Sequence, residues 1–413
     1  MPSNPTFPGV YIEEVPNGAR IITGVATSVA AFVGHASHGP LNQAIHLLSF
    51  ADFERSFGGL DAKSELSYAV RQFFLNGGTE AWVVRLAKNA IAAAQADTSN
   101  SQTADVTLAG GHEESYATDE AYSLFIADRS ARQGIFALEA VDLFNLLVLP
   151  GVTDPAILLD SSTYCQERRA FLIEDAPPSA QTPDQMVQAI TGTALPKTSY
   201  AAVYFPWIKI ADPLDGGLLR SVAPSGTIAG LYARNDSAHG VWKAPAGTEA
   251  TLAGVQTMDY PLTDSESAVL NPLGVNCIRL FPMFGPVAWG ARTLQGDDQT
   301  AGDWKYIPVR RLALFLEESL YRGTKWAVFE PNAEPLWAQI RLNIGAFMQN
   351  LFLQGAFQGQ TPSDAYFVKC DQDTTTQNAI NLGIVNIIVG FAPLKAAEFV
   401  IIKIHQMAGQ KAA

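Results

Sequence analysis

Prolines at positions 2, 5, 8 and 16 bracket the short segment Gly9-Val10-Tyr11-Ile12-Glu13-Glu14-Val15. Proline fixes φ, removes an amide donor and pushes its predecessor out of the helical region, so this stretch is not a helix. As a strand it presents Val10, Ile12 and Glu14 on one face and Tyr11, Glu13 and Val15 on the other. Nothing beside it in sequence offers a tight hairpin return. Backbone donors and acceptors need partners, so the segment predicts pairing with an edge that the neighbouring sequence does not supply. The far end of the chain has the same character. In Ala397-Glu-Phe-Val-Ile-Ile-Lys-Ile-His-Gln, Val400, Ile402 and Ile404 share one face. Phe399 and Ile401, then Lys403 and His405, share the other. Both ends therefore read as detachable β arms, spanning 1–20 and 397–413.

Between the arms the pattern is α/β. Residues 20–34 read as one or two strands punctuated by Gly24 and Gly34. Helices are expected over 49–57 and 65–75, the second stopping at Asn76-Gly77-Gly78. Ala81–Leu86 is a buried strand. Residues 89–120 are poor in large apolar side chains and read as a small insertion or long loop. Apolar runs resume at Phe144–Gly151, Phe171–Asp175 and Ala201–Trp207, each a buried strand, with helices between. Beyond Arg279 helices dominate. Pro308–Tyr321 has proline in its first turn. Pro335–Leu353 carries the stripe Leu336, Ile340, Ile344, Phe347 and Leu351, with Gly355 just past its end. Strands at 365–370 and 384–391 precede the C-terminal arm. The fold class is α/β, mixed α+β, and multi-domain. One domain spans 21–88 and 121–300, and a second spans 301–396 with the N-terminal strand.

Composition narrows the function. Of 413 residues, 48% are apolar and only 16% are charged, against about 25% in ordinary soluble domains. That excludes a disordered chain and points to surface covered by other protein. A net charge of −13 argues against nucleic acid as a partner. Cys165, Cys277 and Cys370 form neither a disulfide framework nor a zinc motif. The first residues lack a basic and apolar leader, and Ile135–Val152 is broken by Glu139, Asp142 and Asn145. Cytoplasmic synthesis without membrane insertion is the expectation.

Few residues offer chemistry. No phosphate loop, dinucleotide fingerprint or nucleophile elbow is present. Gly58-Gly59 and Gly216-Gly217 read as turns. His35 and His38 sit in a turn sequence without nearby cysteine or carboxylate. Asp371-Gln372-Asp373 lacks the glycine and distal glutamate of a calcium loop and reads as a cap before Thr374–Asn381. Glu317-Glu318, downstream of Arg310 and Arg311, read as a solvated or intersubunit charge face. No catalytic residue, metal site or cofactor is assigned. The alternative is an α/β enzyme, hydrolase-like, built around Ser225 or the acidic pairs.

Several motifs in fixed order carry a family resemblance. They are Phe7-Pro-Gly-Val-Tyr-Ile-Glu-Glu-Val, Gly24-Val-Ala-Thr-Ser-Val-Ala-Ala-Phe-Val-Gly and Asn76-Gly-Gly-Thr-Glu-Ala-Trp-Val-Val-Arg. They continue as Pro224-Ser-Gly-Thr-Ile-Ala-Gly-Leu-Tyr-Ala-Arg-Asn-Asp, Gly240-Val-Trp-Lys-Ala-Pro-Ala-Gly and Asn276-Cys-Ile-Arg. Val287-Ala-Trp-Gly-Ala-Arg-Thr-Leu, Trp304-Lys-Tyr-Ile-Pro-Val-Arg-Arg-Leu and Phe329-Glu-Pro-Asn complete the series. The chain resembles contractile tail sheath proteins, and its length is similar to sheaths of phage-tail-like contractile injection systems. The stretch 89–199 matches poorly. The resemblance implies hexameric rings stacked around an inner tube, with baseplate and terminal cap proteins at the ends. It implies that Val10–Val15 and Phe399–Ile404 cross to neighbouring subunits and complete a β-sheet there. It also implies a short tube-attachment helix, which Thr374–Asn381 matches loosely. Thr375, Thr376, Asn378 and Asn381 would then touch the tube; a plain surface helix is the other reading. The resemblance places the particle in the producing cell's cytoplasm during assembly, and afterwards in a phage tail or a released extracellular particle.

Overall fold

The structure is a computed structural model that describes residues 21–87, 118–299 and 302–399. The N-terminal arm residues Val10–Val15, most of the 89–120 insertion, and Val400, Ile401, Ile402, Lys403 and Ile404 lie outside the described residues. Two compact units emerge. One comprises 26–315 with 394–399, the other 21–25 with 316–393.

Among the described residues the larger unit has eleven strands. They are β1 (Ala30–His35), β2 (Ala44–Leu47), β3 (Ala81–Leu86), β4 (Leu146–Val148), β5 (Phe171–Asp175) and β6 (Ala201–Phe205), then β7 (Ile208–Ala211), β8 (Leu219–Val222), β9 (Val255–Met258), β10 (Val275–Phe281) and β11 (Gly285–Ala288). Eight form one sheet in the order β11-β10-β6-β5-β4-β1-β3-β2. Its inner pairings are parallel, while β2 on β3 and β11 on β10 are antiparallel. The strands are near-continuous apolar runs because both faces are covered. Side chains alternate between two layers. Ala31, Val33, Leu147, Leu172 and Val203 pack with the helices Pro155–Arg168, Pro183–Thr191 and Asp264–Leu270. Ala30, Phe32, Val83, Phe171 and Tyr204 pack against Phe50–Phe57, Glu65–Leu75 and Ser225–His239. The second layer also holds a three-stranded sheet, β8-β7-β9, that the apolar pattern does not reveal.

Helix starts follow from local chemistry. The Ser49, Ser64 and Asp154 side chains accept backbone N–H groups of their first turns. Thr182 and Thr263 form reciprocal capping boxes with Gln185 and Glu266. The helices Glu65–Leu75 and Ser225–His239 touch backbone to backbone. A Cβ on Gly226 would lie 2.4 Å from the Ala69 carbonyl oxygen, and one on Gly230 2.4 Å from that of Phe73. Only glycine permits that approach.

The helix Ile307–Gly323 corrects one sequence expectation. Arg310, Arg311 and Glu318 are buried, and only Glu317 of that group faces solvent. Arg311 pairs with the equally buried Asp236 at 2.5 and 3.0 Å, donates to the Thr27 carbonyl and lies over the Tyr232 ring. Arg310 sits over the Trp304 and Tyr200 rings and donates to Ser199 Oγ. These partners come from distant parts of the chain, which is what allows guanidinium groups to leave water.

In the smaller unit the helix Glu334–Leu353 buries Leu336, Ile340, Ile344, Phe347 and Leu351, as its stripe predicts. It supports β12 (Tyr366–Lys369), which pairs antiparallel with β13 (Ile388–Phe391). The expected strand at 384–391 is thus shorter at its start, because 384–387 make no ladder. The helix Gln377–Asn381 lies between the two strands in sequence. No helix among the described residues is long and apolar enough to cross a membrane.

Candidate functional site

Among the described residues the β12–β13 pair is the one strand pair in which no residue is buried. Register sets Tyr366 opposite Phe391, Phe367 opposite Gly390, Val368 opposite Val389 and Lys369 opposite Ile388. The period of two divides these into two faces. Tyr366, Val368, Val389 and Phe391 are partly covered. Tyr366 donates to Gln349 Oε1 at 2.8 Å, and the Phe357 ring lies about equally far from Tyr366 and Phe391, at 6.1 and 6.0 Å. The opposite face carries Phe367 and Ile388, 49% and 48% exposed. The Phe367 ring lies across Gly390, where a Cβ would come within 2.2 Å of it. Among the described residues neither strand has a second ladder partner. Two strands alone are marginal in water, and their outer edges present unpaired backbone groups. Such an edge can take an added strand, with main-chain bonds for affinity and side-chain pockets for register.

The helix Gln377–Asn381 follows a tight turn. Asp371 Oδ1 accepts the N–H groups of Asp373 and Thr374, so this carboxylate closes a turn, while the helix cap is Thr376. Thr376, Asn378 and Asn381 are exposed, with Leu382 beside them 66% exposed. Thr375 is buried, and its hydroxyl accepts the Asn386 N–H. A surface contact by this helix therefore draws on the other three residues. Phe399, the one residue of Phe399–Ile404 within the described chain, is 74% exposed.

The features that suggest catalysis take structural roles. Ser225 is fully buried, and its N–H and Oγ both donate to Asp175, at 2.8 and 2.7 Å. Asp175 also accepts from Gly151 N–H. Burial raises its pKa to about 6 even though these hydrogen bonds oppose the shift. The carboxylate thereby fastens the end of β5 to the start of the helix Ser225–His239. Glu318 accepts from Arg322 one turn on. Burial pushes the thiols of Cys277 and Cys370 up to about 11 and that of Cys165 higher still, so all three are weak nucleophiles. Among the described residues no three His, Cys, Asp or Glu side chains converge as a metal site.

Comparison with known proteins agrees on one family. The model of the phage tail sheath protein central domain matches residues 117–294, and that of the phage tail sheath C-terminal domain matches 299–407. Among solved structures, the PVC sheath complex of an extracellular contractile injection system, in its contracted state, is 30% identical. Its TM-score is 0.74 over 98% of this chain and 98% of that one. The helical sheath of the anti-feeding prophage, also contracted, is 29% identical with a TM-score of 0.72 over 98% and 100%. A chain of the six-fold symmetrised baseplate of the same particle is 29% identical, with a TM-score of 0.69 over 98% and 100%. No curated protein sequence matches. The ordered motifs, the eight-stranded body and these matches converge: the chain belongs to the contractile tail sheath proteins and is a structural protein, not an enzyme.

Proposed function

We propose that this chain is the repeating subunit of a contractile sheath, polymerised as hexameric rings around an inner tube, whose shortening drives the tube through a target envelope. The observation that carries the reading is the open β12–β13 pair. The arms 1–20 and 397–413 of neighbouring copies each add a strand to one of its edges and link the rings into a mesh. Each main-chain bond contributes about 0.5–1.5 kcal/mol net. Burying Val10, Tyr11 and Ile12, or Val400, Ile402 and Ile404, adds roughly 1.5–3 kcal/mol per side chain. One arm is then worth several kcal/mol, and repetition around a ring multiplies it. The similar structures, two contracted sheaths and a baseplate, support self-assembly and association with a baseplate. The inner tube, reached through Thr376, Asn378 and Asn381, and a terminal cap protein are the further partners. Assembly takes place in the producing cell's cytoplasm, and the finished particle is a phage tail or an extracellular injection device.

The test is truncation. Removing Met1–Val15 or Phe399–Ala413 is expected to leave a folded monomer with the parent's circular dichroism and no tubes or rings by electron microscopy. Tubes formed by either truncated chain would refute arm exchange.

A further inference from the structure

Past β13 the chain is still tied at Ala392, whose N–H donates to the Ala365 carbonyl and whose carbonyl accepts the Gln358 N–H, and at Pro393, which bridges Phe357. Beyond Pro393 the firm hold among the described residues is a single side chain, Glu398. Arg292 grips the Glu398 carboxylate in a bidentate pair, Nε to Oε1 at 2.8 Å and Nη2 to Oε2 at 2.6 Å, and Tyr306 OH adds a third donor at 3.3 Å. The Arg292 side chain is 0% exposed, and its remaining nitrogen donates to Asp298 and to the Gly296 carbonyl. Its backbone is held as well. Asn276 on β10 accepts the Arg292 N–H at 2.7 Å and donates to the Arg292 carbonyl at 2.8 Å. The grip is therefore fixed in the sheet before Glu398 arrives. Little else fastens this stretch. Residues 394–399 make no regular structure, and Phe399 is 74% exposed. Ala396, Ala397 and Phe399 form a wall of a cavity of about 400 Å³ and do not fill a close-packed seat.

We infer that Arg292 and Glu398 clamp the root of the C-terminal arm, fixing where it leaves the body and diverting pull on the arm into the eight-stranded sheet. This rests on the arm-exchange reading above and gives it a mechanical part. Without the clamp, pull from a neighbour passes along 394–399 to the ties at Ala392 and Pro393 and then to β13, a four-residue strand with one ladder partner among the described residues. The freed stretch, 394–399, also adds roughly 20 Å of slack per link, at about 3.3 Å per residue. Neighbouring subunits would then stay tethered and lose register. Glu398 is a positioning residue: its carboxylate is held by Arg292 and Tyr306 of its own chain, and it sets where the arm begins.

Two variants test this on the full chain. Glu398→Ala removes the grip but leaves Arg292 with Asp298 as its remaining carboxylate. A buried charge left short of partners can destabilise by itself. The double variant Arg292→Met/Glu398→Met removes both charges and the grip together. Trypsin cleavage after Lys395, read by mass spectrometry as the body ending at Lys395, is expected to speed up tenfold or more in both. The double variant is expected to melt within a few degrees of the parent. Its sheaths are expected to form, because the arm strand is untouched, and to scatter in length or separate into rings on contraction. Cleavage within twofold of the parent, or contracted sheaths of uniform length, would overturn the clamp. A drop in melting temperature with cleavage spread over the whole body would make the pair an ordinary fold contact and also overturn it. A chain ending at Phe399 separates the two ideas. If it polymerises, arm exchange itself fails; if it does not and the double variant's sheaths are uniform, only the clamp fails.

Discussion

The two units treat their sheet edges in opposite ways. In the larger unit the inner strands are paired on both sides, and the margin at β11 is protected. Residues 250 and 252 bond across it, and Pro286 removes a donor from it. At the other margin β2 is four residues long. In the smaller unit β12 and β13 have one partner each and turn Phe367 and Ile388 outward. The first arrangement is a self-sufficient core. The second is an open pair of the kind that the proposed arm exchange would complete. On that proposal one chain separates folding from assembly: the body would fold alone, and the link would form only when copies meet. A damaging change in each unit should reveal that separation, because it should strike a different property.

The largest effect is expected in the larger sheet. Phe32 on β1 is fully buried and meets the Phe73 ring edge-on at 5.3 Å. Phe32→Ala deletes a ring that the surroundings cannot replace, and a loss of about 3–5 kcal/mol is expected. Denaturant unfolding of the unassembled chain measures it as a lower midpoint with an unchanged slope. A loss below about 1 kcal/mol would mean that the sheet is not the stability core, and the contrast between the units would vanish.

Most of the body was legible in the sequence because its signals are local. Helices form at 50–57 and 65–75, close to the expected spans 49–57 and 65–75, and the runs Ala81–Leu86, Phe171–Asp175 and Ala201–Phe205 are strands buried on both faces. What escaped depends on distance in the chain. The strand β8, Leu219-Arg-Ser-Val, is too short and polar to stand out, and it exists because β7 pairs with it. The run Phe144–Gly151 gives only three strand residues, since β4 is ladder-bonded only at Leu146–Val148. The burial of Arg310 and Arg311 beside the acidic pair has no local signal, because their partners Ser199 and Asp236 are 111 and 75 positions away. For the site, terminal β segments and a strand pair near 366–391 could be read from alternation. The Arg292–Glu398 grip, 106 positions apart, has no local signal beyond an arginine next to Gly290-Ala291.

A smaller effect, of opposite sign, is expected at Glu174. It follows Ile173 on β5, is completely buried, and among the described residues neither carboxylate oxygen has a hydrogen-bond partner. Burial, reinforced by the nearby charge of Asp175, raises its pKa well above the ordinary value. The sign follows from proton linkage. Below about pH 4.5 the group is protonated in both folded and unfolded chains and costs nothing. As pH rises, the unfolded chain releases its proton while the folded chain retains it, so stability falls until the folded group ionises too. Asp175, raised to about 6, acts in the same direction over the range from about 4 to 6. Glu174→Met is therefore expected to stabilise the chain by about 1–3 kcal/mol at pH 7.5, with the gain shrinking toward zero near pH 4.5. Paired thermal melts at the two pH values measure it. A gain equal at both would assign the effect to packing and not to ionisation. A loss at pH 7.5 would mean the carboxyl has a use in the body.

The smallest effect on folding, and the sharpest on assembly, is expected at Phe367. Its ring is half exposed and rests on Gly390 rather than in a core. Phe367→Ala removes apolar contact that is only partly withdrawn from water, so the unassembled chain is expected to lose about 1 kcal/mol or less. An added strand would cover that ring, and at that moment its full area counts. Sheath yield, followed by sedimentation and electron microscopy, is expected to fall at least tenfold for Phe367→Ala. Gly390→Ala supplies the complementary change, since its new methyl group must displace the ring that it meets at 2.2 Å. If both variants assemble as the parent does while Phe32→Ala assembles poorly, the outward face of β12–β13 is not a linking surface. Assembly would then follow from body stability alone. If instead stability and yield respond to different residues, the two sheets have divided folding and linkage between them.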